Sequence, residues 1–247
     1  MPKPASKGHP FDWRGFLVLC GIFLVVTWLW NTVWVLPLKL FVVLLHEMSH
    51  GIAAVLTGGR ISELVVQDNQ GGHCVTQGGI PFVVVSAGYL GSLFFGATLL
   101  LVATRTQWSR LVASLLGALV VVVAVRFMPL SWGDGKGFAA AAGIVLAALA
   151  LCPTIVAEVA LRIIGVTSCL YVFLDIKHDV LDQDFQESDA VHLERITHVP
   201  AVVWGLLWIG ISVVVTVLAA KWAVTGKPKS KGAKATEQPA RPKGRTA

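Results

Sequence analysis

Three residues within five positions carry the chemistry of this chain: His46, Glu47 and His50, in the run Phe41-Val-Val-Leu-Leu-His46-Glu47-Met-Ser-His50-Gly-Ile-Ala-Ala-Val-Leu. On a helix, residues four apart lie on one face, so both imidazoles can reach a single metal ion. Glu47 sits about 100° round the helix from His46, near enough to take a proton from a water held at that metal. The surrounding residues are apolar over a length that can cross a bilayer. Ionisable groups at that depth cost roughly 2.5–3.5 kcal/mol each on insertion scales, so three of them together require a compensating interaction. A bound zinc ion supplies one. The alternative reading of the same residues is a polar cluster that holds helices together.

A catalytic zinc typically takes three protein ligands and leaves one position open. The histidines provide two, and the third has to come from elsewhere. The candidates at suitable depth are Asp175, Asp179, Glu158 and His178. Asp175 closes an apolar run, where a neighbouring cation would offset its burial, and it ranks first. Asp179, one turn further on, ranks next, as a ligand or as a carboxylate steadying a histidine. Glu158 has a partner four residues away in Arg162. His73, beside a turn, reads as a solvated side chain.

The elements that must position these residues follow from the apolar pattern. Apolar runs cover Gly15–Leu36, Leu38–Thr57, Pro81–Ala103, Leu111–Val125 and Val199–Ala220, with a long interrupted one from Phe138 to Leu174. Trp28, Trp30 and Trp34 mark an interface after the first run, and Gly58-Gly59 is a glycine stop for the second. Between the second and third, Ile61–Gln67 and His73–Gln77 read as strands around a turn at Asp68–Gly72. This hairpin is either an ordinary connection or a platform on which an extended peptide adds a strand. Gly88, Gly91 and Ser92 are small residues suited to close helix packing. Ser188-Asp189 reads as an N-cap before a short helix at Ala190–Ile196. Basic ends place both termini in the cytoplasm, which demands an even number of crossings. Six crossings result if part of Phe138–Leu174 is only half inserted.

Hydrophobic residues make up 55% of the 247 positions and charged ones 14%, a balance that belongs to a multi-spanning membrane protein. The expected fold is therefore all-α with about six transmembrane helices and one small β-hairpin. Its expected parts are a basic N-terminus (1–14), a membrane-embedded catalytic unit (15–221) and a disordered basic tail (222–247). Cys20, Cys74, Cys152 and Cys169 form no C-x-x-C pair and indicate neither a disulfide framework nor a cysteine metal site. Much of the net charge of +6 sits in the tail, at Lys227, Lys229, Lys231, Lys234, Arg241, Lys243 and Arg245. Charge placed so argues for anionic lipid as partner and against a nucleic-acid-binding face. The loop Ser131–Gly137 lacks the spacing of a phosphate loop.

Taken together, His46-Glu-Met-Ser-His50 in a span, the Gly-Gly-Arg60 hairpin, Ala87-Gly-Tyr-Leu-Gly-Ser92, Asp175-Ile-x-x-Asp179 and Ser188-Asp189-Ala190 resemble the site-2 protease family of intramembrane zinc metalloproteases. The likeness runs from about Leu38 to Trp208. Tyr89 and Ser92 stand where that family usually has Pro and Asn, and Ile176 stands where it has Gly after the ligand aspartate. The resemblance implies hydrolysis of peptide bonds in or near the membrane, with zinc on His46, His50 and Asp175 and with Glu47 as general base. A membrane zinc-binding scaffold without turnover, and an ion transporter using the same polar groups, remain the other two readings.

Overall fold

The computed structural model describes residues 11–130, 135–181 and 188–225, with 177–181 as backbone only. The 1–10 and 226–247 ends, the 131–134 loop and the side chains of His178 and Asp179 lie outside the described residues. Among the described residues, eight α-helices and a two-stranded sheet follow one another as α1 (Trp13–Trp28), α2 (Leu36–Leu56), β1 (Arg60–Val66), β2 (Gly72–Gln77), α3 (Pro81–Arg105), α4 (Ser109–Phe127), α5 (Lys136–Ala148), α6 (Thr154–Leu181), α7 (Asp189–Thr197) and α8 (Ala201–Thr225). Five of these helices, α2, α3, α4, α6 and α8, are long and apolar enough to cross a membrane. The expected all-α membrane architecture with a hairpin after the second helix is the one observed.

Two expected crossings are shorter than their apolar runs. Helix α1 covers 16 residues, about 24 Å at 1.5 Å per residue against roughly 30 Å of hydrocarbon. Its run is cut at Leu29 because Trp30–Trp34 form turns before Pro37 starts α2 at its first helical turn. The interrupted run splits as the prolyl break implies. Helix α5 has 13 residues and packs on α4, a short 3-10 turn follows at Leu149–Leu151, and α6 begins after Pro153.

Helix α2 is the element the others surround. It is buried over most of its surface, polar residues included, as a central helix is, and Leu44, Leu45 and Ala54 have no exposed surface. Helix α3 runs against it, with Gly91 set directly on the Ser49 side chain. Helices α3 and α6 make the most extensive contact in the molecule. Gly96 and Gly165 face each other's backbones there, and Ser168 Oγ donates to the Ser92 carbonyl at 2.8 Å. The same logic joins α4 and α5 through Gly117 and Gly143, whose carbonyls each lie in the space the other's Cβ would need. Close backbone approach through small residues is how apolar helices gain packing in lipid.

The hairpin is antiparallel, with Leu64 opposite Cys74, Val65 opposite His73 and Val66 opposite Gly72, and an irregularity between Ile61 and Glu63. The buried Leu64, Val65 and Val66 tie β1 into the protein, and β2 packs against α2 as well, with Gly72 against Val43 and Glu47. The α6 pair read from the sequence forms, with Arg162 and Glu158 3.8 Å apart.

The α4–α5 contact gives a direct test. Gly117→Ala places a methyl into the backbone of Gly143 and Ala147, and should destabilise by about 1–3 kcal/mol as overpacking does. Gly21→Ala in α1, where a Cβ meets nothing within 4 Å, should be neutral or stabilising by up to about 1 kcal/mol. Thermal unfolding of the two variants in the same detergent checks the difference.

Candidate metal centre

His46 and His50 project from α2 toward one point, with ring centroids 4.8 Å apart. The third group at that point is Asp189, the first residue of α7. Its Oδ2 lies 3.2 Å from His46 Nε2 and its Oδ1 lies 3.4 Å from His50 Nε2. The ligand atoms of these three residues all fall within 4.8 Å of one another, and they form the one such group among the described residues.

The arrangement has the character of a donor set rather than of an ion pair. His50 Nδ1 donates to the Val84 carbonyl at 2.7 Å, which fixes the ring orientation and leaves Nε2 facing Asp189. Asp189 Oδ2 is buried and receives no hydrogen bond of acceptable direction despite its nearness to His46. Gly88 of α3 closes the remaining side. A Cβ built there would stand within 2.6 Å of His46 Nε2, His50 Nε2 and Asp189 Oδ2 at once. The backbone therefore leaves an atom-sized space between three ligand atoms. Two imidazoles and one carboxylate, with room for a water, are what a divalent ion such as zinc requires. Burial by itself would raise the Asp189 carboxyl, but the facing imidazoles hold it well below the usual carboxylate range. It is the carboxylate, the form a ligand must have, that faces them.

Three neighbours orient this group. Tyr89 packs edge-on to the His46 ring at 4.8 Å and against Trp208 at 5.0 Å. Helix α7 is capped by Ser188, whose Oγ accepts from Val191 N at 3.4 Å, and it is docked by Ala190 and Leu193, both without exposed surface. Its other end is held by Trp204, whose indole N–H donates to Thr197 Oγ1 at 3.2 Å. Glu47 lies on the hairpin side, buried, with Gly72 so close that a Cβ there would meet Oε1 at 2.7 Å. Burial, and then the charge of Glu47, push the Cys74 thiol up to about 12, and Cys74 Sγ is not among the three converging atoms.

The sequence reading placed His46, Glu47 and His50 in one site, and the structure brings them together. It placed Asp175 as third ligand. The structure sets Asp189 at that position and puts Asp175 on the wall of the adjoining cavity, outside the group. Apolar context favoured Asp175, whereas the decisive factor is that α7 folds back on α3 and α8 and turns its first residue inward. The Ser188-Asp189-Ala190 triplet, which the sequence offers both as a helix cap and as part of the family resemblance, carries that signal. Ser92 is buried but bonds to the Gly88 carbonyl of its own helix at 2.9 Å, so it serves packing and not the cavity. His73 lines the cavity without joining the three. Glu158 stays with Arg162.

The cavity beside the three ligands measures about 930 Å³, and its lining includes Glu47, Gln67, Asn69, Gln70, Thr76 and Asp189. Polar groups over such a volume give water and a chain segment access to the site. Residues 19–219 match the family model described as Peptidase M50B-like. Neither the curated proteins nor the solved structures gave a match.

The space at Gly88 yields a prediction. Gly88→Ala should fold, since the methyl displaces only side-chain tips, yet it should lose bound metal because those tips are the ligand atoms. Elemental analysis of purified wild-type and variant protein should show about one equivalent falling to near zero.

Proposed function

Because the chain belongs to the peptidase M50B-like family, over most of its length, we propose that it is an intramembrane zinc metalloprotease, with the metal on His46, His50 and Asp189 and Glu47 as general base. The observation that supports this most is the convergence of three ligand atoms on a gap that a single methyl would fill. Zinc bound there supplies Lewis acidity, which lowers the pKa of a coordinated water toward about 7.

The remaining work belongs to the chain. Glu47 follows His46 directly, so its carboxylate sits beside the ligand atoms and takes a proton from the attacking water. It then returns that proton to the amine nitrogen as the peptide C–N bond breaks. The His50–Val84 hydrogen bond keeps the imidazole from turning during this transfer. A substrate must present an extended backbone, because a helical one has its carbonyls occupied. Strand β2 offers the means: Gly72, His73, Cys74 and Thr76 line the cavity, and β1 occupies only one of its edges. A peptide added along the other edge runs past Glu47, at Gly72. The substrates in this reading are membrane proteins with a locally unwound segment, and the helices α2, α3, α4, α6 and α8 hold the site at bilayer depth.

Three variants test the assignment together. Asp189→Ala should empty the site while Asp175→Ala keeps its metal, both read by elemental analysis. Glu47→Gln should keep the metal and lower cleavage of a peptide mixture by about 10²–10⁴-fold, the range for loss of a general base. Metal retained in Asp189→Ala would overturn the ligand set. Full cleavage by Glu47→Gln would overturn the mechanism, and metal binding with no peptide products at all would leave a zinc-binding scaffold.

A further inference from the structure

Lys39 is the one charged residue of α2 that the chemistry above does not use. It stands two turns before Glu47 and lines the same cavity. A lysine that near a helix start could reach out to the membrane surface with its long stem. Instead it is 8% exposed, and its Nζ sits 4.6 Å from the centre of the Trp30 ring. Trp30 in turn packs against Tyr171 at 6.0 Å. No described carboxylate comes within ion-pairing distance of Lys39, including Glu47, Asp175 and Asp189, which border the same cavity. A buried ammonium with an aromatic face on one side and open cavity on the other is incompletely compensated. An anionic group brought in from the cavity completes it.

We propose that Lys39, seated between the Trp30 ring and the cavity, is a subsite for a carboxylate of the peptide substrate, set a fixed distance from the scissile bond. This rests on the protease reading and adds a specificity to it. Eight residues of helix separate Lys39 from Glu47, about 12 Å of rise. An extended peptide covers that span in about three to four residues. The carboxylate is therefore an Asp or Glu side chain three to four positions from the cleaved bond, or the peptide's own C-terminus at that distance. Lysine suits this role as a compact point charge with three donors, which accepts either source without demanding a planar fork.

The test uses the full chain, purified in detergent with its zinc, and a peptide mixture prepared by digesting a proteome, with products identified by mass spectrometry. Wild-type protein should favour sites with a carboxylate three to four residues away by about tenfold over sites without one. Lys39→Met should erase that preference, Lys39→Arg should retain it, and Lys39→Glu should turn it toward Lys and Arg. Bound zinc, measured in each variant, reports an intact site. Amidating the C-termini of the mixture separates the two sources. A preference that survives amidation is for side chains, and one that vanishes is for the terminus. Cleavage without positional preference, or a preference unchanged in Lys39→Met, overturns the subsite and leaves the protease standing. Absence of any cleavage by the zinc-loaded wild type overturns the protease reading and the subsite with it.

Discussion

The rest of the molecule depends on three largely buried polar side chains that point at one another. His46 Nε2, His50 Nε2 and the Asp189 carboxylate meet inside a protein whose surroundings are apolar, and Asp189 Oδ2 receives no hydrogen bond there. A polar group left so in low dielectric is costly. The structure nevertheless fixes each one from behind: His50 through Val84, His46 through the edge of Tyr89, and Asp189 through a helix docked by Ala190 and Leu193. Restraint of that kind holds three side chains at separations that suit one metal ion, and a cation would complete the carboxylate oxygen that no hydrogen bond reaches.

The rest of the fold follows from protecting that point while leaving one way in. The crossing of α3 and α6 at Gly96 and Gly165 is tight, and Gly91 of α3 closes on the Ser49 side of α2. The hairpin does the opposite. Strand β1 buries three consecutive residues, but β2 turns its backbone and polar side chains to the cavity. A two-stranded sheet is a weak structure alone. Here both strands are held by α2, and β1 also by α4, and among the described residues no third strand pairs with β2.

How much of this the sequence discloses depends on how far apart the cooperating residues lie. His46, Glu47 and His50 are legible because helix periodicity alone puts them together, and the hairpin is legible because Asp68–Gly72 is a dense turn signal between two β-prone runs. The helix breaks at Pro37 and Pro153 could be read too. Asp189 could not be placed by the same means. Its neighbours are polar, the stretch ahead of it is acidic, and its local role as the residue after an N-cap is already sufficient. What puts it at the metal point is the docking of α7, which depends on Leu193 and Ala190 meeting Tyr89 and Trp208 from distant parts of the chain. Asp175 had the better local argument, an apolar run before it, but α6 presents it to the cavity wall.

The site is finally defined as much by what two residues lack as by what others supply. Gly88 leaves open the space between the three ligand atoms, and Gly72 leaves open the space beside the Glu47 carboxylate. They approach α2 from different elements, α3 on one side and β2 on the other, so the reacting volume is bounded by backbone on two sides. Backbone cannot swing aside as a side chain can, and that rigidity suits a site whose ligands must hold their separation while a peptide moves past. On the proposed reading, the Lys39 ammonium further up the same helix is a fixed reference along the peptide, because α2 carries both it and Glu47 and a helix does not change its rise. Position along the substrate is thus measured by one rigid rod, with chemistry at one mark and charge at another.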